Sequence, residues 1–371
     1  MPSPSLLNVH RVRLPLVGRF TTAIRSAVEL ETVLVEVMDS DGRRGWGEAP
    51  VSRVTRVTSD QVASSIEDRL WPLVRGSDLT DPAAVLERLE ASPEPAAARM
   101  AVDCALHDLA AQQQDQPLAR YLGGALEVVA TDMTLSIAGT EELARTAAAQ
   151  VRRGFGSLKI KLGAEGDALA AMKAVRAAVG PAVSLRIDAN QAFQVSDAVR
   201  LIRSLEDNGL GIELVEQPVA AGNWAGLAEV SAAVVTPVMA DESVWTLDDL
   251  QTLLRHKAAP MVNIKLAKTG GLHHARKMVA TAVQEGIGVV IGCMLESHVG
   301  IAAAASLAAT VPRQWDQDLD GGLWLAASPV SGGARYAGNA IQLAAGPGLG
   351  ITGLEARQAA RSSASDPRRA C

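Results

Sequence analysis

Leu158-Lys159-Ile160-Lys161, Arg186-Ile187-Asp188-Ala189-Asn190, Leu214-Val215-Glu216-Gln217-Pro218, Met239-Ala240-Asp241-Glu242-Ser243 and Asn263-Ile264-Lys265-Leu266 are five short β-rich runs that each end in charge. The charged ends lie 27 residues apart from Lys161 to Asp188, then 28 on to Glu216, 25 on to Asp241 and 24 on to Lys265. One strand, one helix and two loops need about 25–30 residues, so this is the beat of a β/α barrel. In such a barrel the ends of the strands form the face on which active sites are built. The order Lys-x-Lys, Asp, Glu, Asp, Lys reads as a divalent-metal site flanked by lysines.

Working outward, strand slots fall at 131–137, 157–161, 184–188, 212–216, 237–241, 261–265, 288–293 and 315–318, with helical Ala/Leu/Val periodicity between them. Eight slots with intervening helices favour a barrel over an open doubly wound sheet. Residues 1–125 read differently. Strand-like alternation at 7–17 and 31–38 and a third strand ending at Gly45–Pro50 precede helical patterns near 59–75, 82–90 and 95–114, an α+β unit. The barrel occupies 126–324, a Gly/Pro-rich segment of short strands at about 325–355 returns to the first unit, and 356–371 is expected to be a disordered tail. Gly348–Gly353 matches G-x-G-x-x-G, but too little chain follows for a βαβ unit, so it is read as a loop.

The bulk properties exclude several classes. Charged residues are 20% of the 371 and the net charge is −6, with Lys and Arg dispersed, which points away from nucleic acid and anionic membranes. Aromatics are only 3%, against an aromatic binding platform. Cys104, Cys293 and Cys371 are too few for a disulfide framework, and no secretory signal or long apolar run is found, so a soluble cytoplasmic protein is expected. The expected partner is a small molecule and the expected assembly a homo-oligomer.

Asp188, Glu216 and Asp241 project from three successive strand ends. Any one alone would be read as a helix cap or a surface ion pair. Three converging carboxylates repel one another, and a hard cation such as Mg²⁺, with Mn²⁺ as substitute, removes that conflict. Lys159 and Lys161 lie two apart on a strand and point the same way, with Lys265 across the mouth. A lysine beside a metal and another cation is destabilised in its charged form, so a lowered pKa is expected.

These motifs resemble the muconate-lactonizing subgroup of the enolase superfamily over nearly the whole chain. The resemblance implies a modified (β/α)₇β barrel with an α+β N-terminal capping domain, and proton abstraction next to a carboxylate with Mg²⁺ assistance. It implies Asp188, Glu216 and Asp241 as metal ligands, Lys161 and Lys265 as the acid/base pair, and Lys159 beside the substrate carboxylate. Lys265 ranks above Lys268 because strand alternation ends there, and Asn190 is expected to support the metal's water shell or cap the next helix. The Lys265 motif disfavours the mandelate-racemase subgroup, which needs a His there.

Within the subgroup, Trp315-Asp316-Gln317-Asp318-Leu319-Asp320-Gly321 resembles the Asp-x-Asp of dipeptide epimerases, which implies that Asp318 and Asp320 hold a dipeptide's free ammonium. Arg25, in a loop after Phe20, resembles the arginine that pairs with a side-chain carboxylate in epimerases acting on Ala-Glu. Glu296, at the seventh strand end, is expected to touch substrate, while His298 departs from the pattern there. The implied activity is Mg²⁺-dependent epimerisation of L-Ala-Glu or a related dipeptide. N-succinylamino acid racemase, o-succinylbenzoate synthase and muconate cycloisomerase chemistry are the rivals on the same scaffold, and a non-catalytic ligand-binding barrel is the remote one.

Overall fold

In a computed structural model the chain is described over residues 2–22 and 25–355, without the side chains of Thr22 and Arg25. The predicted contact through Arg25 and the tail at 356–371 therefore lie outside the described residues.

The N-terminal unit is an antiparallel sheet of Pro4–Thr22, Arg25–Asp39 and Arg44–Pro50, in that order. Its period-2 pattern serves two cores. Val33, Val35 and Val37 pack on Val62, Ile66, Leu70, Leu106 and Leu109 of the unit's own helices. Leu30, Leu34 and Trp46 instead join the large core that runs into the barrel. The helix Ala96–Gln113 is buried over most of its surface, and its alanines let the third strand lie directly against it. A Cβ on Gly47 would come within 1.8 Å of the Ala101 carbonyl oxygen, and one on Gly45 within 2.1 Å of that of Ala105, so Gly45-Trp46-Gly47 is the sequence form of that close approach.

The barrel is a parallel sheet of Met133–Leu135, Ser157–Lys161, Ser184–Asp188, Ile212–Glu216, Val238–Ala240, Met261–Lys265 and Gly288–Gly292, each paired with its sequence neighbour. The eighth slot is shorter than the sequence suggests. Only isolated bridges, Gly292 to Asp318 and Thr131 to Gln317, close the ring there. A register shift places Arg186 opposite Leu214 and Asp188 opposite Glu216, leaving Glu213 as the extra residue of a bulge. That bulge keeps Glu216 level with Asp188, and it lets Glu213 meet Arg186 Nε at 2.5 Å.

Strand parity sorts the barrel interior into levels. Leu214, Met239, Met261 and Val290 form a separate apolar cluster with Trp315 packed against it. One step toward the strand ends come Lys159, Asn263 and Asp318, and beyond them Lys161, Asp188, Glu216, Asp241 and Lys265. The C-terminal segment adds Val330–Gly332 paired with Ile351–Leu354, and Arg335–Ala337 with Ala340–Gln342 extending Val128–Ala130. The G-x-G-x-x-G stretch thus ends in a strand rather than staying wholly a loop. The same segment reaches the N-terminal unit through Leu118 N–H to the Gly348 carbonyl at 2.8 Å.

Three buried carboxylates of the N-terminal unit fasten it to the rest of the chain. Glu48 accepts from Ser297 N at 2.9 Å, Ser297 Oγ at 2.6 Å and Gly300 N at 2.8 Å, so it caps the barrel helix His298–Ala308. Asp103 accepts from Leu272 N at 2.5 Å at the start of the helix Leu272–Gln284. A Cβ on Gly271, whose φ is +123°, would lie 2.4 Å from that carboxylate. Asp108 accepts from Trp46 N at 2.9 Å, Leu349 N at 2.8 Å and Gln112 Nε2 at 2.9 Å.

Burial outweighs these donors at Asp108 and raises its carboxyl to about 6. The native chain then binds this proton more tightly than the unfolded chain, whose aspartate titrates near 3.9. The stability it contributes is fully present below about pH 4 and is lost as pH rises through about 6, a span of about 3 kcal/mol. Asp108→Asn should therefore flatten the fall in stability between pH 4 and 6, measured by urea unfolding at several pH values. Parallel pH profiles for the two proteins would show that Asp108 titrates normally.

Candidate active site

The five charged strand ends do meet. Lys161 Nζ donates to Asp188 Oδ2 at 2.6 Å and to Asn190 Oδ1 at 3.0 Å. Lys265 Nζ lies 2.7 Å from Asp241 Oδ2 and 3.8 Å from Glu216 Oε1. Lys159 Nζ sits lower, 2.6 Å from Asp318 Oδ1, 3.5 Å from Glu216 Oε2 and 4.0 Å from Asp188 Oδ2. Glu216 is central, between Lys159 and Lys265, and its Oε2 is buried with no hydrogen bond.

All three lysines, Asp241, Asp318 and Asp320 line one cavity. Phe20, Ser52 and Val54 of the N-terminal unit line it too, so the cap supplies part of the wall. Asp320 accepts from Thr134 N at 2.8 Å and Trp324 Nε1 at 3.2 Å. Asp318 and Asp320 therefore reach the same cavity but are held differently, the first by a lysine and the second by neutral N–H groups.

Burial and mutual repulsion set the ionisation of this cluster. Burial, reinforced by Asp188 and Asp241, raises the Glu216 carboxyl well above its ordinary value despite Lys159 and Lys265. At Asp241 burial acts upward too, but Lys265 and Lys268 overcome it and the carboxyl is lowered. Lys265 departs from the expectation from sequence. Burial lowers Lys265, yet Asp241, Glu216 and Asp318 together outweigh it and hold the ammonium well above its ordinary range. The net lowering falls instead on Lys268, where burial dominates and Lys265 adds to it. Lys268 Nζ is fully engaged by Asp241 Oδ1 at 2.6 Å, the Asp241 carbonyl at 2.6 Å and the Asn263 carbonyl at 2.8 Å. Burial, with Asp241 and Asp188, takes the neighbouring Glu242 up to about 7.

The remaining predicted residues separate. Asn190 spans Lys161 and Glu242, donating to Glu242 Oε1 at 3.2 Å, and does not cap the following helix. Glu296, like Asp188 and Glu216, is buried behind the cavity's lining residues. Its Oε1 accepts from Met294 N at 2.8 Å, and its Oε2 lies over Gly300 beside Glu48. Burial and then Glu48 raise its carboxyl to about 8. His298 faces away, edge-on to Tyr336 with centroids 5.8 Å apart.

Three positioning residues escaped the sequence reading. Asn263 Nδ2 donates to Glu216 Oε1 at 2.9 Å and to Asp318 Oδ2 at 3.0 Å, tying the upper carboxylates to the lower ones. Gln217 takes a left-handed backbone, φ +36°, while its Oε1 accepts from Asp241 N at 2.9 Å and Ser243 N at 3.1 Å, fixing the next strand end. Asp132 forms a second acidic group with Asp318 and Asp320, ligand atoms within 4.8 Å of one another, and pairs with Arg186 Nη1 at 3.0 Å. Asn263 shares strand parity with Lys265, a usable signal; Gln217 and Asp132 carry none that sequence alone exposes.

This arrangement matches known proteins throughout. Residues 7–123 match the mandelate racemase/muconate lactonizing enzyme N-terminal domain, and residues 142–357 the enolase C-terminal domain-like family. The L-Ala-D/L-Glu epimerase of Bacillus subtilis is 40% identical over 351 residues, covering 94% of this chain and 96% of the relative. The solved substrate-liganded complex of the Bacillus subtilis L-Ala-D/L-Glu epimerase superposes with a TM-score of 0.92, covering 95% of this chain and 99% of that one, at 38% identity. The dipeptide epimerase of Enterococcus faecalis complexed with Mg and L-Leu-L-Tyr gives a TM-score of 0.90 at 35% identity, covering 94% and 99%. With both domain families matched in order around a cavity of this charge, the chain belongs to the mandelate racemase/muconate lactonizing group of the enolase superfamily.

Proposed function

We propose that this chain is a divalent-cation-dependent dipeptide epimerase, acting on L-Ala-Glu or a related dipeptide. The observation that carries the reading is the meeting, in one cavity, of two lysines from separate strands with a carboxylate pair suited to a free ammonium.

The donor set fits a hard cation such as Mg²⁺. Asp188, Glu216 and Asp241 offer only oxygen, and Glu216 Oε2 has no hydrogen bond to lose. A second carboxylate group, Asp132, Asp318 and Asp320, also converges, with Arg186 on Asp132 and Lys159 on Asp318. A cation bound by Asp188, Glu216 and Asp241 supplies positive charge where the substrate's carboxylate gains electron density. Lys159 adds a fixed ammonium on the same side. Lys161 and Lys265 then serve the two faces of the α-carbon, one as amine removing the proton, the other as ammonium delivering it. Lys265, held charged by its carboxylates, is the natural donor. Burial acts the other way, toward the amine.

Asp318 and Asp320 hold the ammonium of the dipeptide's first residue, and Arg25 is assigned to a side-chain carboxylate of the second. The proposed compartment is the cytoplasm, consistent with described cysteines, Cys104 and Cys293, that are free and buried. Among the described residues no helix is long and apolar enough to cross a membrane. A homo-oligomer is the proposed assembly.

Glu216→Gln should remove most activity with the folded structure intact, and exhaustive chelation should do the same reversibly. Full activity after chelation refutes the cation assignment. Lys161→Ala and Lys265→Ala should each abolish epimerisation, while one of them still exchanges the α-proton of a single epimer with D₂O, followed by mass spectrometry. Wild-type epimerisation in either variant rules out two bases.

Asp320→Asn tests the substrate class. A charge-assisted hydrogen bond to the ammonium is worth about 1.5–3 kcal/mol, roughly a ten- to hundred-fold loss in kcat/KM. The loss should fall on dipeptides and largely spare N-succinylamino acids, which carry negative charge at that end. Equal losses on both, or a wild-type preference for the N-succinyl substrate, would transfer the assignment to an N-acylamino acid racemase.

A further inference from the structure

We propose that Trp324 is a positioning and selectivity residue for the first residue of the dipeptide. Its indole N–H orients Asp320 toward the ammonium, and its ring, backed by Phe20, is the apolar wall that receives that residue's side chain. The inference rests on the dipeptide reading above.

Trp324 ends the short 3₁₀ turn Gly321–Trp324, which Asp320 precedes. The turn brings Trp324 Nε1 back to Asp320 Oδ2 at 3.2 Å, and Thr134 N–H takes the same oxygen at 2.8 Å. No described donor engages Asp320 Oδ1, so both protein hydrogen bonds fix the carboxylate through one oxygen and leave the other for a cavity ligand. The fixation matters because Asp320 sits in an adverse field. Burial and Asp318 raise its carboxyl, with Lys159 acting the other way, and Asp132 belongs to the same close group. Each N–H donor stabilises the charged form that an ammonium requires.

The ring does separate work. Phe20 meets Trp324 edge-on, with centroids 4.9 Å apart and planes at 81°, and both line the cavity beside Asp320. Phe20 is held in turn, since Thr21 N donates to Ser136 Oγ at 3.1 Å and Ile137 N to the Thr21 carbonyl at 3.3 Å. Those two bonds tie the cap strand to the end of the first barrel strand, and the aromatic pair ties it to the turn after Asp320, where a side chain next to the bound ammonium would lie. An apolar first residue buries surface there, and a polar one of equal size loses hydration without finding a partner.

The test uses two variants with opposite deficits, Trp324→Phe (a ring without the N–H) and Trp324→Gln (an amide N–H without the ring). The probes are L-Ala-L-Glu and the near-isosteric pair L-Leu-L-Glu and L-Asn-L-Glu. Wild type should prefer Leu over Asn. Trp324→Phe should raise KM about tenfold for all three, with kcat within about twofold and the Leu preference kept. Trp324→Gln should bring the Leu/Asn ratio of kcat/KM close to one. An unchanged KM in Trp324→Phe, a loss confined to kcat, or a Leu preference surviving in Trp324→Gln overturns the inference alone. A wild type that turns over none of the dipeptides overturns the dipeptide reading itself, and this inference with it.

Discussion

Everything in the barrel mouth depends on keeping a dense set of buried charges compensated. An isolated ion at this depth costs several kcal/mol even after relaxation, so none of Asp188, Glu216, Asp241 or Asp318 can be read alone. Each lysine bonds one carboxylate closely, Lys161 to Asp188, Lys265 to Asp241 and Lys159 to Asp318. Glu216 is the member left over. Its lysines stand 3.5 and 3.8 Å away, and Asn263 gives it one N–H. The strain of the lattice is therefore concentrated on Glu216, between its two neighbouring carboxylates, and a divalent cation would be most strongly stabilised there.

That lattice constrains what lies below and above it. Below, Leu214, Met239, Met261 and Val290 form an apolar cluster beside the buried Arg186–Asp132 pair. Burial of these side chains strengthens each pair and makes each loss more costly. Above, the cap must stay in place to exclude water. It is anchored by Glu48 and Asp103 at the N-termini of two barrel helices, where exposed N–H groups and the helix dipole favour a carboxylate. The helix capped by Glu48 follows the stretch Cys293–Leu295, which lines the cavity, so the cap's anchor and part of the cavity wall are consecutive in sequence.

How far the sequence could be read follows from the range of each interaction. The strand ends were legible because period-2 strands and the β/α beat are local, and the charged residues close each strand. Asp318 and Asp320 were legible as a pair but not in their unequal support, since Lys159 and Thr134 come from distant segments. Glu296 illustrates the limit. Its place at a strand end is legible, but its hydrogen bond from Met294 N and its closeness to Glu48, far away in sequence, are not. The sign of the shift at Lys265 could not be foreseen either. Burial opposes the pull of three carboxylates there, and only distances settle which is larger.

Asn263 and Lys159 link the upper carboxylates to Asp318 directly. Asn263 donates one N–H to Glu216 and the other to Asp318, and no Cβ could stand at Gly292, where it would lie 2.2 Å from the Asn263 oxygen. Asn263 is thereby fixed between Glu216, at the centre of the upper lattice, and Asp318 below it. Lys159 makes the same link in charge, within 3.5 Å of Glu216 and 2.6 Å of Asp318. A dipeptide bound at both points would draw Asp318 toward its ammonium and loosen the hold on Lys159, freeing that lysine for the substrate's carboxylate. Recognition of the substrate's two ends is on this account a single exchange of partners within one buried charge network.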